Sequence, residues 1–241
     1  MGRLTWILII LNVVIFELVF SMPESLMDTA FNLLAFSSPQ IFEVWRLFTS
    51  LFVHASASHL FFNMLGLYFF GRVVEEELNP RRFLLLYFIA GLAGSLVYGL
   101  TSANPVVGAS GCVFGLMGYA MIMKPKKMIK LYVFPLPLGI IAIIFAIIES
   151  ILVYYGEVIS GVAHIAHVAG MFTGIASAFL VDTKRAAKCS LWLVLFVVIL
   201  VLLGPVFGLI IGIGNLLLGA IDFVVGIVLY GLAKLIGVIL W

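Results

Sequence analysis

VVGASGCVFGLMG, Val106–Gly118, opens a hydrophobic run directly after Asn104-Pro105. Pro105 and the glycines predict a loop turning into a helix, with Ser110 near the helix N-terminus. Backbone N–H groups at such an end lack intrahelical partners and point outward, where they suit a developing oxyanion. Glycine and serine are also common wherever membrane helices pack closely, so the stretch alone says little. Its weight comes from His59-x-x-x-Asn63 upstream and Ala166-His167-x-x-Gly170-x-x-x-Gly174 downstream.

Working outward, 64% of the 241 residues are hydrophobic and 10% charged, with mean hydropathy +1.29. So few charges exclude a water-soluble domain of this size and predict an all-α, polytopic transmembrane helix bundle. A net charge of +2 gives no footing for nucleic acid. Cys112 and Cys189 fall in a helix and in a basic loop at its far side, which argues against a disulfide. No cysteine-based metal spacing exists. The apolar run Leu4–Phe20 is long enough to span and lacks a small-residue cleavage site, so it reads as a retained helix.

Spans need about 20 apolar residues. The candidates are roughly 4–20, 59–78, 83–101, 109–123, 131–153, 161–181 and 191–212, with 215–241 either an eighth span or an interfacial segment. The connection 21–58 is too apolar for a plain solvent loop and is expected to lie on the membrane or partly enter it. If the seven spans alternate, Arg3, Arg72, Arg81, Arg82, Lys124, Lys126, Lys127, Lys130, Lys184, Arg185 and Lys188 share one side. Arg46 alone falls on the other, and Lys234 depends on the last segment. Eleven against one predicts a cytoplasmic N-terminus by the positive-inside rule.

That topology brings His59, Asn63, Ser110 and His167 to the external ends of spans two, four and six, in one cavity below the outer surface. A serine hydroxyl becomes a nucleophile when an imidazole takes its proton, so Ser110 and His167 read as nucleophile and base. The bland alternative is a small packing residue and a buried polar contact. Neither span holds a carboxylate near His167, and a dyad without a third acid is expected. His59 and Asn63, four apart on one helix face, would complete an oxyanion hole; otherwise they satisfy the helix start and its loop.

His164 precedes His167 by three, a weak metal pattern without carboxylate neighbours. It is expected to line the cavity mouth or bond a loop carbonyl, and His54 likewise. Gly111, Gly115 and Gly118 stripe span four, while Gly170 and Gly174 stripe span six, faces that let backbones approach closely. Gly204, Gly208 and Gly212 repeat this on span seven, where plain packing suffices. Arg46 is expected to pin the long connection through backbone carbonyls, with Trp45 anchoring at the interface. Glu75 is expected to cap or bond an adjoining helix, and Lys124–Lys130 to set topology and touch lipid headgroups.

The motifs, in this order, resemble the rhomboid family of intramembrane serine proteases. The matching residues are Trp45-Arg46, His59-x-x-x-Asn63, Gly71-x-x-x-Glu75, Gly108-x-Ser110-Gly111 and Ala166-His167-x-x-Gly170-x-x-x-Gly174, over roughly 1–181. The resemblance implies a six-helix core whose shortened fourth helix starts inside a water-accessible cavity. It implies Ser110 as nucleophile, His167 as base, and an oxyanion hole from His59, Asn63 and the Ser110 backbone. It implies substrates that are single-span membrane proteins, cut where the transmembrane helix unwinds, and no metal or organic cofactor. Some bacterial members carry a tyrosine four residues after the serine, stacked under the histidine; Phe114 stands there and keeps the stacking without the hydroxyl.

The resulting division is a catalytic membrane domain, 1–182, and one or two accessory hydrophobic helices, 183–241, that match no motif. The absence of a targeting segment points to a prokaryotic plasma membrane. The competing reading is a non-catalytic membrane adaptor of the same superfamily that binds client helices. A transporter is disfavoured, because the polar cluster sits toward one face and no repeat relates the halves.

Overall fold

The computed structural model describes residues 2–131, 134–155, 163–195, 198, 216, 217 and 219. The chain forms two compact units, Met1–Leu193 and Val194–Trp241. In the second, the described residues 194, 195, 198, 216, 217 and 219 are helical and exposed. Most of the two C-terminal candidate spans, with Gly204, Gly208, Gly212 and Lys234, lies outside the described residues, as does the candidate entrance to span six at 161.

The first unit is a bundle of apolar helices. Helix α1, Arg3–Phe20, is followed by α2, Glu24–Leu34, and a short α3, Trp45–Thr49. Helix α4, Ala57–Gly66, runs through a wider π-helical turn, Leu67–Gly71, into α5, Arg72–Glu75. Then come α6, Pro80–Thr101, and α7, Ser110–Met123. Helix α8, Leu138–Tyr155, and α9, His164–Val181, close the set, and helical residues continue over 183–193. Among the described residues, three helices, α1, α6 and α9, are long and apolar enough to cross a membrane by themselves. The protein is therefore an integral membrane protein.

Local sequence explains the starts. Ser56 Oγ accepts the His59 N–H at 3.1 Å to cap α4. Asn79 Oδ1 accepts the Arg82 N–H at 3.0 Å to cap α6, with Pro80 at the first helical position. Helix α1 is capped from elsewhere: Glu75 accepts the N–H groups of Leu4 and Thr5 at 2.8 and 2.9 Å and the Thr5 hydroxyl at 2.7 Å.

The fifth candidate span begins later than the apolar run suggests. Residues Met128–Leu131 and Phe134–Pro137 form an antiparallel hairpin, β1 and β2, pairing Met128 with Pro137 and Leu131 with Phe134. Pro135 and Pro137 lack the N–H that a helix needs and hold the preceding residues extended. The helix accordingly waits until Leu138.

Helix α7 is the hub. It packs chiefly against α9 and α6 and is buried along nearly its whole length. A Cβ on Gly170 would run into the Gly111 carbonyl oxygen, one on Gly174 into that of Gly115, and one on Gly118 into that of Met171. The two backbones are in direct contact. A Cβ on Gly94 of α6 would likewise lie 2.7 Å from the Ala166 oxygen of α9.

Candidate active site

The first residue of α7 is Ser110, and His167 lies one turn into α9. Because Gly111 touches Gly170, the turn carrying Ser110 faces the turn carrying His167. One turn below Ser110, the Phe114 ring stacks on His167, with centroids 4.4 Å apart and planes inclined by 4°. The stack fixes the plane of the imidazole. Among the described residues no hydrogen bond of 3.5 Å or less joins Ser110 to His167.

The loop before Ser110 turns at Gly108, which has φ +114°. A Cβ there would also lie 2.7 Å from His59 Nε2 and 3.5 Å from Asn63 Nδ2. Glycine is required twice over, once by the backbone conformation and once by the two side chains above it. His59 Nδ1 accepts the Ala55 N–H at a long 3.5 Å, an arrangement that leaves Nε2, the atom over Gly108, to carry the proton. Asn63 is buried, and its Nδ2 has no partner among the described residues. Two donors thus overhang the loop that delivers Ser110, and one of them is unspent.

His54 stands behind this loop, between α3 and α4. Its Nε2 accepts the Ala109 N–H at 3.4 Å, and its ring meets His59 edge-on at 5.1 Å. Burial, with the charge of His59 adding to it, pushes His54 down to about 4, against a smaller opposite pull from the Phe52 backbone. The neutral form is the one that can accept from Ala109. A second strut is the pairing of Phe36 with Val106, with N–H to oxygen distances of 3.2 and 2.7 Å.

Trp45 and Arg46 lie on α3, away from Ser110. Arg46 is 3% exposed; its Nη1 donates to the carbonyl oxygens of Asn32 and Ala35, the latter at 3.1 Å, and its Nε pairs with Glu43 at 2.7 Å. Trp45 is half exposed, its ring 5.9 Å from the guanidinium. These contacts tie α3 to the end of α2. Glu75 sits at the far end of the α4–α5 run, under the start of α1.

One residue escaped the sequence reading. Glu149, from α8, is 7% exposed, and its Oε2 lies 2.9 Å from His167 Nδ1 and 2.7 Å from His164 Nδ1. Spans four and six hold no acid near His167, but the expected dyad has a carboxylate behind it all the same, supplied by α8, the helix between them. The signal was present, since Glu149 is the only charged residue from 131 to 155, and an ionisable group inside a span is a functional candidate by default. The same three side chains bring ligand atoms within 4.8 Å of one another, donors of the kind zinc takes. Their oxygen–nitrogen separations are hydrogen-bond lengths.

The rhomboid domain, as a family, matches residues 42–184 of the chain. The rhomboid protease GlpG of Salmonella paratyphi A is 32% identical over 192 residues, covering 78% of this chain and 66% of that protein. The rhomboid protease GluP of Bacillus subtilis is 33% identical over 144 residues, covering 60% of this chain and 27% of that one. GlpG of Salmonella newport is 35% identical over 150 residues, 61% of this chain and 51% of its own length. The chain thus spans less than two thirds of each of these relatives. With a polar cluster where α4, α7 and α9 meet, and a family match across more than half of its length, the chain belongs to the rhomboid family.

Proposed function

We propose that this protein is an intramembrane serine endopeptidase that cleaves peptide bonds in or beside transmembrane segments of single-span membrane proteins. The observation that carries the reading is the stacking of His167 on Phe114, one turn from Ser110, across a helix pair in backbone contact. Ser110 Oγ attacks the peptide carbonyl carbon while His167 Nε2 takes the hydroxyl proton. His59, Asn63 and the Ser110 N–H hold the oxyanion. The C–N bond breaks, and His167 passes its proton to the leaving amine. Water then adds to the acyl carbon, giving a proton to His167, which returns it to Ser110 Oγ as the acid departs.

Three features support these roles. Asn63 Nδ2 has no partner among the described residues, which leaves it available to donate to an oxyanion. Free enzymes commonly hold nucleophile and base slightly apart and tighten them around substrate. Helix α7 has 14 residues, about 21 Å, against a hydrocarbon core of about 30 Å. With its Lys124 end at one boundary, Ser110 stops short of the other and meets substrate inside the membrane. The lysine and arginine distribution supports a cytoplasmic N-terminus and a site opening externally.

The test is labelling of the purified protein by a fluorophosphonate, beside Ser110→Ala and His167→Ala. Labelling that both substitutions abolish is the expected outcome. No labelling of folded wild type, with the probe active on a control hydrolase, would favour the non-catalytic adaptor.

A further inference from the structure

We propose that Glu149 is the positioning acid of this site, so that the base is oriented from α8, a third membrane helix, and the dyad works as a Ser110–His167–Glu149 relay. The proposal rests on the reading of Ser110 and His167 as nucleophile and base. A carboxylate only accepts hydrogen bonds, so its contact of 2.9 Å places the imidazole proton on His167 Nδ1. Nε2 is left with a lone pair, the state a general base requires.

Two constraints on the ring are then complementary. Stacking on Phe114 fixes its plane but lets it turn within that plane or flip over. The Glu149 contact selects which edge faces α8 and therefore which faces α7. When His167 gains the serine proton, the cation forms beside a carboxylate already in place, without rearrangement. His164 holds the same oxygen at 2.7 Å and keeps Glu149 anchored while His167 exchanges protons. A carboxylate at membrane depth is expensive, and Glu149 spends both contacts on the histidines of α9.

A purely structural Glu149 would merely tie α8 to α9. The discriminating measurement is the rate of fluorophosphonate labelling as a function of pH, in wild type, Glu149→Gln and Glu149→Asp, with unfolding temperature measured alongside. Removing the acid behind a catalytic histidine costs up to about 10⁴-fold in soluble serine proteases. With Phe114 still holding the ring plane, about 10²-fold is expected for Glu149→Gln, with an altered pH profile and partial rescue by Glu149→Asp. Labelling of folded Glu149→Gln within about threefold of wild type, with an unchanged profile, would overturn the proposal while Ser110→Ala still tested the enzyme reading. If the Gln variant does not fold, ¹⁵N-histidine NMR of the intact wild type decides, the His167 signals being assigned by difference from His167→Ala. Protonated Nδ1 with bare Nε2 supports the relay, and the opposite tautomer refutes it. Absence of labelling in wild type would instead remove the underlying enzyme reading.

Discussion

The two ends of α7 are built on opposite terms. At the Lys124 end the charges are spent: Glu77 pairs with Lys124 and, at 2.8 Å, with Arg185, which also donates to the Met123 oxygen at 3.1 Å. Lys127 pairs with Glu76 at 3.1 Å, and Lys126 lies 3.3 Å over the Trp192 ring. At the Ser110 end, Asn63 Nδ2 has no partner among the described residues, and His59 Nε2 overhangs a bare glycine. One helix thus has an end closed for stability and an end left open at some cost in it. Substitutions at the open end should change chemistry far more than folding, and those at the closed end the reverse.

The largest effect should come from the seam that joins the two ends. Gly170→Val places a branched side chain against the Gly111 carbonyl oxygen, which no rotamer avoids. Overpacking alone costs about 1–3 kcal/mol, and forcing two backbones apart should exceed it. Fluorophosphonate labelling should fall to background, with a drop in unfolding temperature. Labelling near the wild-type level would mean that close contact of α7 and α9 is dispensable.

Asn63→Leu separates chemistry from folding more cleanly. Losing one oxyanion donor costs about 10²–10³-fold in turnover. Stability should hold or rise, because a buried donor without a partner is exchanged for an apolar group of similar size. Turnover of a model transmembrane substrate and the unfolding temperature check both halves. A stability loss without a rate loss would place Asn63 in the architecture rather than in the site.

How much of this was legible beforehand follows from distance along the chain. Residues four apart on one helix, such as His59 and Asn63, and the glycine stripes of α7 and α9 obey a periodicity that sequence displays directly. The long apolar runs gave the bundle for the same reason. Glu149 was missed because its partners lie 15 and 18 residues away on another helix, and spacing fixes only contacts within one helix. The β1–β2 hairpin was hidden inside an apolar run, although Pro135 and Pro137 marked it. His54 bonding Ala109 across 55 residues left no trace in either pattern.

His54 is the pH-sensitive part of the open end. Its value in the folded protein is about 4, against 6.5 for the ordinary side chain. Between these values the unfolded chain binds a proton that the folded one refuses. Stability is therefore intact above pH 6.5 and falls as the pH drops toward 4, by up to about 3 kcal/mol. His54→Gln keeps an acceptor for the Ala109 N–H but cannot charge. Its unfolding temperature should fall less than that of wild type between pH 7.5 and pH 4.5. Parallel losses in the two proteins would assign the acid sensitivity to another group.

The smallest effect belongs to the closed end. Burial raises the Glu77 pKa, but Lys124 and Arg185 together outweigh it and hold the carboxyl below its ordinary value. A depressed carboxyl contributes stability that is complete above its unfolded value and is lost as pH falls through its folded one. Glu77→Gln should therefore lower stability at pH 7 by about 1–2 kcal/mol, the range for two partly exposed ion pairs. The difference from wild type should shrink in acid. Labelling of Ser110 should stay within about twofold at pH 7, because α7 is held along its length by α6 and α9 and not by this end alone. A large loss of labelling with little loss of stability would show that the ends communicate along the helix, and that the closed end sets the position of the serine as well as the limit of the bundle.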